Sequence, residues 1–268
     1  MRLAVVGANG RMGRAIVRLA RADGLDVVCA VGMGDVGRDI GELAGIGPIG
    51  VPVVDGLAVL EHARADVVVD FSSPTATLAL APIASAAGTA IVSGTTGLSL
   101  EAREALERAA LRVPVWWEPN TSVGVYVLTQ IVAQAAAALA DWDVEVVEVH
   151  HRGKIDAPSG TALRLAESAA AARSEPTRLV HGRSGDAGAR TIDEIGMHSL
   201  RGGDVVGDHV VYLLGGGERL ELVHRATSRD VFAYGALRAA RWIEGRPAGR
   251  YFLRDVLGSK PPERDRAH

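Results

Sequence analysis

Residues 7–13 read Gly7-Ala8-Asn9-Gly10-Arg11-Met12-Gly13, directly after the apolar run Leu3–Val6 and at the start of a helical pattern over Arg11–Arg21. A tight turn without Cβ atoms lets the backbone approach a pyrophosphate, and the N-terminus of the following helix supplies amide donors and a partial positive charge. A glycine triplet alone also occurs in ordinary strand–helix turns. Because a strand precedes this one and a helix follows it, the sequence predicts a dinucleotide-binding domain.

The first part of the chain alternates short apolar runs with longer helical patterns. We predict strands at Leu3–Val6, Val27–Val31, Val67–Phe71, Ala90–Val92 and Val113–Trp117, and helices at Arg11–Arg21, Thr75–Ala87 and Leu100–Ala110. Strands that alternate with helices of about 10–15 residues are typical of a parallel, doubly wound sheet. The predicted fold class is therefore α/β, with a Rossmann-like first domain.

The pattern changes after Asn120. Helices are predicted at Val123–Ala140 and from Ser159 to Ala172, strands at Val144–His150, Ile195–Leu200, Asp204–Leu214 and Arg219–Ala226, and a surface loop over residues 173–190. Because the last three strands follow one another without helices between them, we predict a second, α+β domain with a mainly antiparallel sheet. The helix Val231–Glu244 is expected to pack back on the first domain. The predicted domains are thus 1–121 with 230–268, and 122–229.

Composition excludes several classes of function. The 268 residues carry a formal net charge of −3, which argues against a nucleic-acid partner. The single cysteine, Cys29, excludes a disulfide framework and a cysteine-based zinc site and fits a reducing compartment, so we expect a cytoplasmic protein. The apolar run after Arg2 is too short for a signal peptide, so none is expected. Residues 71–100 and 119–140 carry no charge, but they are too polar or too interrupted for membrane spans, so no membrane partner is expected.

The preference between the two nicotinamide cofactors is left open by the sequence. Rossmann sites usually place an acid at the end of the second strand for the ribose of NAD, or a base nearby for the 2′-phosphate of NADP. Here that strand is followed by Gly32 and Met33. Asp35 comes late for the ribose, and the nearby arginines are either phosphate ligands or surface charges. These arginines are Arg11, Arg14 and Arg38.

Residues 148–162 carry the clearest chemical signal. They read Glu148-Val149-His150-His151-Arg152-Gly153-Lys154-Ile155-Asp156-Ala157-Pro158-Ser159-Gly160-Thr161-Ala162. A helix start with free amides, two hydroxyls and a nearby lysine suits a carboxylate, and an imidazole beside it can move protons. The alternative is a capped helix with surface His and Lys. A metal site is not expected, because neighbours in a strand such as His150 and His151 point to opposite faces.

Several motifs together resemble 4-hydroxy-tetrahydrodipicolinate (dihydrodipicolinate) reductases, from about residue 3 to residue 257. The motifs are Gly-x-x-Gly-Arg-Met-Gly at 7–13, Gly41–Gly45, Gly94-Thr95-Thr96-Gly97, Asn120-x-Ser122-Val123-Gly124-Val125, the long run 148–162, Arg201-x-Gly203-Asp204-x-x-Gly207-x-His209, and Gly217–Glu221. The run 148–162 is the most specific of them.

The resemblance implies an NADPH- or NADH-dependent reductase of lysine and diaminopimelate biosynthesis that acts on a small cyclic dicarboxylate. It implies a Rossmann-like domain and an inserted α+β domain that binds substrate and builds a homotetramer. It assigns the cofactor to Gly7, Gly10, Arg11, Met12, Gly13, Phe71, Gly94, Thr95, Thr96 and Asn120. It makes His150 the proton donor and Lys154 the group that polarises the substrate and binds its carboxylate. It places His151, Ser159, Gly160 and Thr161 around the dicarboxylate.

The chain departs from the family on the cofactor side and in the segment that joins the domains. The family usually has an acid at Gly32, often a base at Met33, and Phe at Thr121, and some members carry Arg at Ser73. With neither an acid nor a base in place, we expect both cofactors to be used. A related reductase acting on another cyclic imine or enamine is the alternative function. A non-catalytic NADP-binding protein is disfavoured, because a cofactor sensor has no use for His150 and Lys154.

Overall fold

The structure, a computed structural model, describes residues 1–258. Its strands are β1 (Arg2–Val6), β2 (Asp26–Val31), β3 (Val53–Val54), β4 (Val67–Asp70), β5 (Ala90–Ser93), β6 (Pro114–Trp117), β7 (Asp143–His150), β8 (Arg178–His181), β9 (Glu194–Arg201), β10 (Gly207–Leu214), β11 (Arg219–Ala226) and β12 (Gly249–Tyr251). Its helices are α1 (Arg11–Ala22), α2 (Ile40–Leu43), α3 (Pro74–Ala86), α4 (Leu100–Ala110), α5 (Val123–Ala138), α6 (Gly160–Ala171), α7 (Asp230–Ile243) and α8 (Leu253–Val256), with a 3₁₀ turn at Leu57–Glu61.

The chain divides into two compact units. Unit 1 comprises Met1–Ser122 and the described residues from Asp230 on, and unit 2 comprises Val123–Arg229. The predicted first domain also included residues 259–268, which lie outside the described part of the chain.

Unit 1 is built on a parallel sheet in the order β12-β6-β5-β4-β1-β2-β3, which confirms the predicted α/β class. All residues of β4 and β5 are buried, as expected for strands covered on both faces. From β1 the chain builds outward to β2 and β3, then returns and builds from β4 in the other direction. Ligands of such sheets bind at the carboxyl ends of the strands where the order reverses, here beyond β1 and β4.

The C-terminal elements complete unit 1. The carboxylate of Asp230, at the start of α7, lies 2.8 Å from the Arg18 guanidinium of α1, and β12 pairs in parallel with β6. A Cβ atom on Gly235 would lie 1.7 Å from the Thr121 carbonyl oxygen. Helix α7 therefore packs on the segment after β6 so closely that only glycine fits.

Unit 2 contains a mixed sheet in the order β11-β10-β7-β9-β8, so the prediction of a mainly antiparallel sheet is wrong. The pairs β10–β11 and β10–β7 are antiparallel, while β7–β9 and β8–β9 are parallel. The chain returns to the starting end of the sheet twice, through α6 between β7 and β8 and through residues 182–193 between β8 and β9. Strands β7, β8 and β9 therefore run in the same direction.

Strand β8 lies inside residues 173–190, which were predicted to be a loop. Its four residues are mostly exposed at the edge of the sheet, so they show no alternation of apolar and polar side chains. A short exposed edge strand gives no periodic signal in the sequence.

The core of unit 2 is formed by one face of β7 packed against α5 and α6. Val144 and Val146 are fully buried there, and the same alternation continues to Glu148 and His150 near the end of the strand. Because alternate residues of β7 face the core, the ionisable side chains of Glu148 and His150 lie at the edge of an apolar core. No helix of the described residues is long and apolar enough to cross a membrane.

Replacing Gly235 with Ala should destabilise unit 1 by about 1–3 kcal/mol, because the new Cβ would overlap the Thr121 carbonyl oxygen and force a backbone shift. Chemical denaturation checks this. Gly216→Ala, where a Cβ meets open space, is the matched control and should change the free energy of unfolding by less than about 0.5 kcal/mol. Equal effects of the two substitutions would contradict the packing argument.

Candidate active site

The glycine loop after β1 forms a cradle that side chains would fill. Gly7 has a φ of +75°, and a Cβ there would lie 2.4 Å from the Phe71 carbonyl oxygen. A Cβ on Gly13 would lie 2.2 Å from the Gly7 oxygen. Gly10 is the N-cap of α1 and offers no side-chain cap, so the first-turn amides are left without one. These features fit the pyrophosphate of a dinucleotide.

A cleft of about 320 Å³ lies in unit 1 beyond β1, β4 and β5. It is lined by Met12, Phe71, Ser72, Gly94, Thr95, Thr96, Pro119, Thr121 and Phe232. Of the residues predicted to bind cofactor, it brings together Met12, Phe71, Gly94, Thr95 and Thr96. Arg11 is exposed at the start of α1 and does not line it. Asn120 lies between two lining residues, and its side-chain oxygen accepts the Ser122 amide at 2.9 Å.

The buried carboxylate of Asp70 organises the edge of this cleft, and the sequence analysis missed it. It accepts hydrogen bonds from the hydroxyl groups of Thr77 at 2.6 Å, Ser93 at 2.9 Å and Thr95 at 3.0 Å, and from Ser72. Thr95 is therefore buried and held by Asp70, while Thr96 is exposed. Thr95 acts as a positioning residue for the exposed part of the loop.

Two further lining residues come from distant parts of the chain. The Thr121 hydroxyl donates to the Phe232 carbonyl oxygen at 2.6 Å, which joins the segment after β6 to α7. Thr121 is buried, and both Thr121 and Phe232 line the cleft. No local pattern in the sequence announces this, because the two residues are 111 positions apart.

In unit 2 the centre of the candidate site is the fully buried carboxylate of Glu148. Arg201 donates to both of its oxygens, at 2.7 and 2.8 Å, and the Ser159 amide donates at 3.1 Å. Burial alone would raise the pKa of Glu148, but the hydrogen bonds from Arg201 and His150 outweigh it and lower the pKa to about 2. Glu148 is therefore a fixed negative charge.

That charge sets the orientation of His150. The Nδ1 atom of the imidazole lies 2.5 Å from a Glu148 oxygen. Burial lowers the pKa of His150 below its ordinary value, although Glu148 acts in the opposite direction, so the ring is neutral at pH 7 and Nδ1 donates. A Cβ on Gly207 would lie 2.9 Å from Nε2, so glycine at this position of β10 leaves room on the second nitrogen.

A second histidine, His209, lies behind Ser159. His209 lies on β10 directly opposite Glu148 of the neighbouring strand β7. Its ring contacts the His150 ring edge-on, with the ring centroids 5.2 Å apart. Burial, with a contribution from His150, lowers the pKa of His209 to about 4. The Ser159 hydroxyl accepts the Ala162 amide at 3.1 Å and is hydrogen-bonded to His209 Nε2 at 3.0 Å. Ser159 is thus engaged on both sides and buried.

Lys154 lies in the loop that follows β7. Its ammonium group is 2.8 Å from each carboxylate oxygen of Asp156, and this ion pair lowers the pKa of Asp156. His151 precedes it, with Nε2 3.0 Å from an Arg229 nitrogen, and the His151 carbonyl accepts the Lys154 amide at 3.1 Å. The loop therefore presents a lysine that already holds a carboxylate.

The first turn of α6 completes the predicted set. Gly160 is exposed and a Cβ there would meet open space, while Thr161 is half-buried. His150 and Ser159 are brought together through Glu148, whereas His151 and Lys154 belong to the neighbouring loop. The functional assignments of these residues stay predictions.

Sequence reasoning passed over five residues of this site: Glu148, Asp156, Arg201, Gly207 and His209. All five stand in quoted motifs, so the signal was present. What the motifs do not show is pairing, because Arg201 reaches Glu148 across 53 positions. Among residues 1–258 no group of three or more His, Cys, Asp or Glu side chains could hold a metal ion.

Comparison with known proteins gives a consistent result. The family model described as "Dihydrodipicolinate reductase, N-terminus" matches residues 1–121, and "Dihydrodipicolinate reductase, C-terminus" matches residues 124–257. A 4-hydroxy-tetrahydrodipicolinate reductase from Anaeromyxobacter sp. (strain Fw109-5) is 54% identical and covers 95% of this chain and 96% of its own. The one from Myxococcus xanthus (strain DK1622) is 50% identical, with 96% and 98% covered.

Among solved structures, the dipicolinate-bound dihydrodipicolinate reductase from Paenisporosarcina sp. TG-14 matches with a TM-score of 0.75. It is 24% identical and covers 94% of this chain and 97% of its own. At that identity the likeness supports the fold.

The charge on Glu148 predicts a pH-dependent stability. Because its pKa falls from an ordinary 4.5 to about 2 on folding, its contribution is complete above pH 4.5 and is lost as the pH falls towards 2. Glu148→Gln should therefore cost about 2–3 kcal/mol of unfolding free energy at pH 7, and the difference from wild type should shrink below pH 4.5. Denaturant titrations from pH 7 to pH 2.5 measure it.

The control for this titration is Glu104→Gln, an exposed carboxylate paired with Arg108 along α4. It should change stability by less than about 0.5 kcal/mol at every pH. A cost for Glu148→Gln that stays constant down to pH 2.5 would contradict the assignment of a fixed charge.

Proposed function

The chain belongs to the dihydrodipicolinate reductase family, and we propose that His150 and Lys154 carry its substrate chemistry. The reaction is the reduction of 4-hydroxy-tetrahydrodipicolinate, via dihydrodipicolinate, to tetrahydrodipicolinate with NADPH or NADH. Unit 1 binds the cofactor in this proposal, along the glycine loop and the cleft of Met12, Phe71, Gly94 and Thr96. Unit 2 binds the substrate. The bound nicotinamide supplies a hydride, and the protein residues bind the dicarboxylate and move the proton.

The observation that carries the proposal is the fixed orientation of His150. Glu148 holds Nδ1, so Nε2 is the nitrogen that exchanges a proton with the substrate. The neutral ring of the free protein becomes easier to protonate when a dianion binds near it, because a nearby negative charge raises the pKa of an imidazole. Substrate binding thus prepares His150 to donate the proton that accompanies the hydride.

Lys154 fits a substrate carboxylate in the same way as it fits Asp156. Its side chain is mostly covered, while the Asp156 side chain is largely exposed, so an incoming carboxylate can join or replace Asp156. An ammonium ion at this place also withdraws electrons from the ring that receives the hydride.

The N-terminus of α6 supplies the second part of the carboxylate site. Ser159 uses its hydroxyl for Ala162 and His209, so we assign it to positioning and give the ligand contacts to Gly160 and Thr161. A carboxylate at a helix N-terminus is favoured by the helix dipole. His151 lies next to Lys154 and contributes a further donor.

The proposal includes the assembly and location of the protein. Homotetramer formation through unit 2 is supported by exposed apolar side chains on α5 and β11, among them Val127, Ile131 and Val223. A cytoplasmic location rests on the single thiol, Cys29, which is buried and whose pKa is raised to about 11 by that burial.

Lys154→Ala should lower kcat/KM by about 10²–10⁴, because the protein loses the cation that binds the substrate's carboxylate and polarises its ring. The assay follows NADPH oxidation with enzymatically generated hydroxytetrahydrodipicolinate. The Kd of NADPH should stay within about twofold of wild type, since Lys154 is in unit 2. Arg108→Ala, an exposed cation on α4, is the control and should be fully active. A Lys154→Ala variant with more than half the wild-type turnover would falsify the role.

His150→Gln should lower kcat by about 10²–10⁴ and remove the alkaline limb of the pH profile. In the wild type, kcat should fall as the pH rises, because only the protonated ring donates. The limb in kcat/KM, which reports the free enzyme, should lie at lower pH than the limb in kcat, because burial lowers the pKa of His150 before substrate binds. A variant that keeps the wild-type alkaline limb would exclude His150 as the donor.

A further inference from the structure

At the end of β2, a side chain of the glycine loop occupies the place of the acidic residue that Rossmann sites usually have. A Cβ on Gly32 would lie 2.3 Å from the side-chain oxygen of Asn9. Asn9 belongs to the glycine loop itself and occupies the space into which a side chain at position 32 would project. A side chain at position 32 would therefore have to displace Asn9 from this place, and the chain has no acid there.

Asn9 also ties the segment after β2 to the glycine loop. Its side-chain nitrogen donates to the carbonyl oxygens of Met33 at 2.7 Å and Gly34 at 3.3 Å. The backbone at Gly34 and at the next residue, Asp35, lies in the left-handed region, with φ of +80° and +52°. Left-handed backbone is uncommon for a residue other than glycine, so the position of Asp35 is held by its surroundings.

This turn brings the Asp35 carboxylate to two guanidinium groups. It lies 3.1 Å from an Arg38 nitrogen and 3.5 Å from an Arg14 nitrogen. Arg14 is in the first turn of α1, and its Nε donates to the Asn9 carbonyl oxygen at 2.8 Å. A carboxylate and two cations are thus attached to the loop that holds the pyrophosphate.

Stability does not account for this cluster. All three side chains are partly exposed, and ion pairs in such positions contribute about 0–1 kcal/mol. Each guanidinium has five N–H donors, so both arginines keep donors for a ligand while they hold Asp35. The cluster combines an acceptor for hydroxyl groups with donors for a phosphate, at the end of the sheet where the adenosine ribose lies in this fold.

We propose that Asp35, Arg14 and Arg38 form the adenosine-ribose subsite of this reductase. Asp35 accepts the ribose hydroxyls of NADH, and the two arginines bind the 2′-phosphate of NADPH. The subsite replaces the absent acid and base at positions 32 and 33, and it explains how one chain serves both cofactors. This inference rests on the proposed cofactor binding at the glycine loop.

The test measures the dissociation constants of NADH and NADPH by titration calorimetry in the absence of substrate. Asp35→Ala should weaken NADH about tenfold, because an ionised acceptor of the ribose hydroxyls is lost, and should leave NADPH unchanged or tighter. Arg38→Ala should weaken NADPH about tenfold and leave NADH within about twofold. Asp35→Asn keeps the shape of the side chain and should reproduce the direction of Asp35→Ala.

The matched control is the ion pair at the opposite ends of the same two elements. Arg21 in α1 and Asp26 in β2 lie 3.6 Å apart and also form a partly exposed ion pair. Arg21→Ala and Asp26→Ala should leave both dissociation constants unchanged. The proposal is overturned if Asp35→Ala alters NADH and NADPH by the same factor, or if Arg38→Ala weakens both equally.

The same titrations separate this inference from the proposed function. If cofactors bind with the predicted selectivity but hydroxytetrahydrodipicolinate is not reduced, the reductase assignment fails and the subsite stands. If turnover is normal and the variants leave cofactor selectivity unchanged, the subsite fails and the reductase assignment stands.

Discussion

The proposed substrate site of this protein depends on one buried carboxylate. Glu148 sits on the core face of β7, where a charge survives only if it is paired. Arg201 pairs with it, the Ser159 amide caps it, and His150 takes its orientation from it. The strand β9, the start of α6 and the proposed proton donor are therefore fixed by a single group. Losing that group leaves Arg201 without its partner and His150 without a defined tautomer.

Unit 1 also contains a buried carboxylate that organises its surroundings, but its hydrogen-bond donors are neutral hydroxyl groups. Asp70 stands at the end of β4, fully buried, and four hydroxyl groups donate hydrogen bonds to it. Through Thr95 it fixes the loop that carries Gly94 and Thr96 along the cleft. In both units an acid at the carboxyl end of a strand gathers the loops that meet there, so a ligand finds its contacts already in place. Preorganisation of this kind reduces the cost of binding.

In the proposed cofactor site, the segment after β2 is held by a side chain of the glycine loop. Gly32 leaves space that Asn9 fills, and Asn9 in turn holds the segment that carries Asp35. A side chain of the glycine loop thus occupies the space beside the glycine at the end of β2. At another edge of the cleft, the buried Thr121 and Phe232 lie side by side among the lining residues.

The sequence by itself determined the glycine loop, the alternation of strands and helices in unit 1, and the motif from Glu148 to Ala162, because each is a local pattern of spacing and polarity. It could not give the direction of β9, which depends on the connections through α6 and residues 182–193, nor the edge strand β8, which lacks a pattern. Only the tertiary structure decided the pairing of Glu148 with Arg201, the meeting of Asp35 with Arg14, and the contribution of Phe232 to the cleft. Each of these contacts joins residues 21 to 111 positions apart. They form because the fold brings these side chains within hydrogen-bonding or packing distance, and no local sequence pattern records that distance.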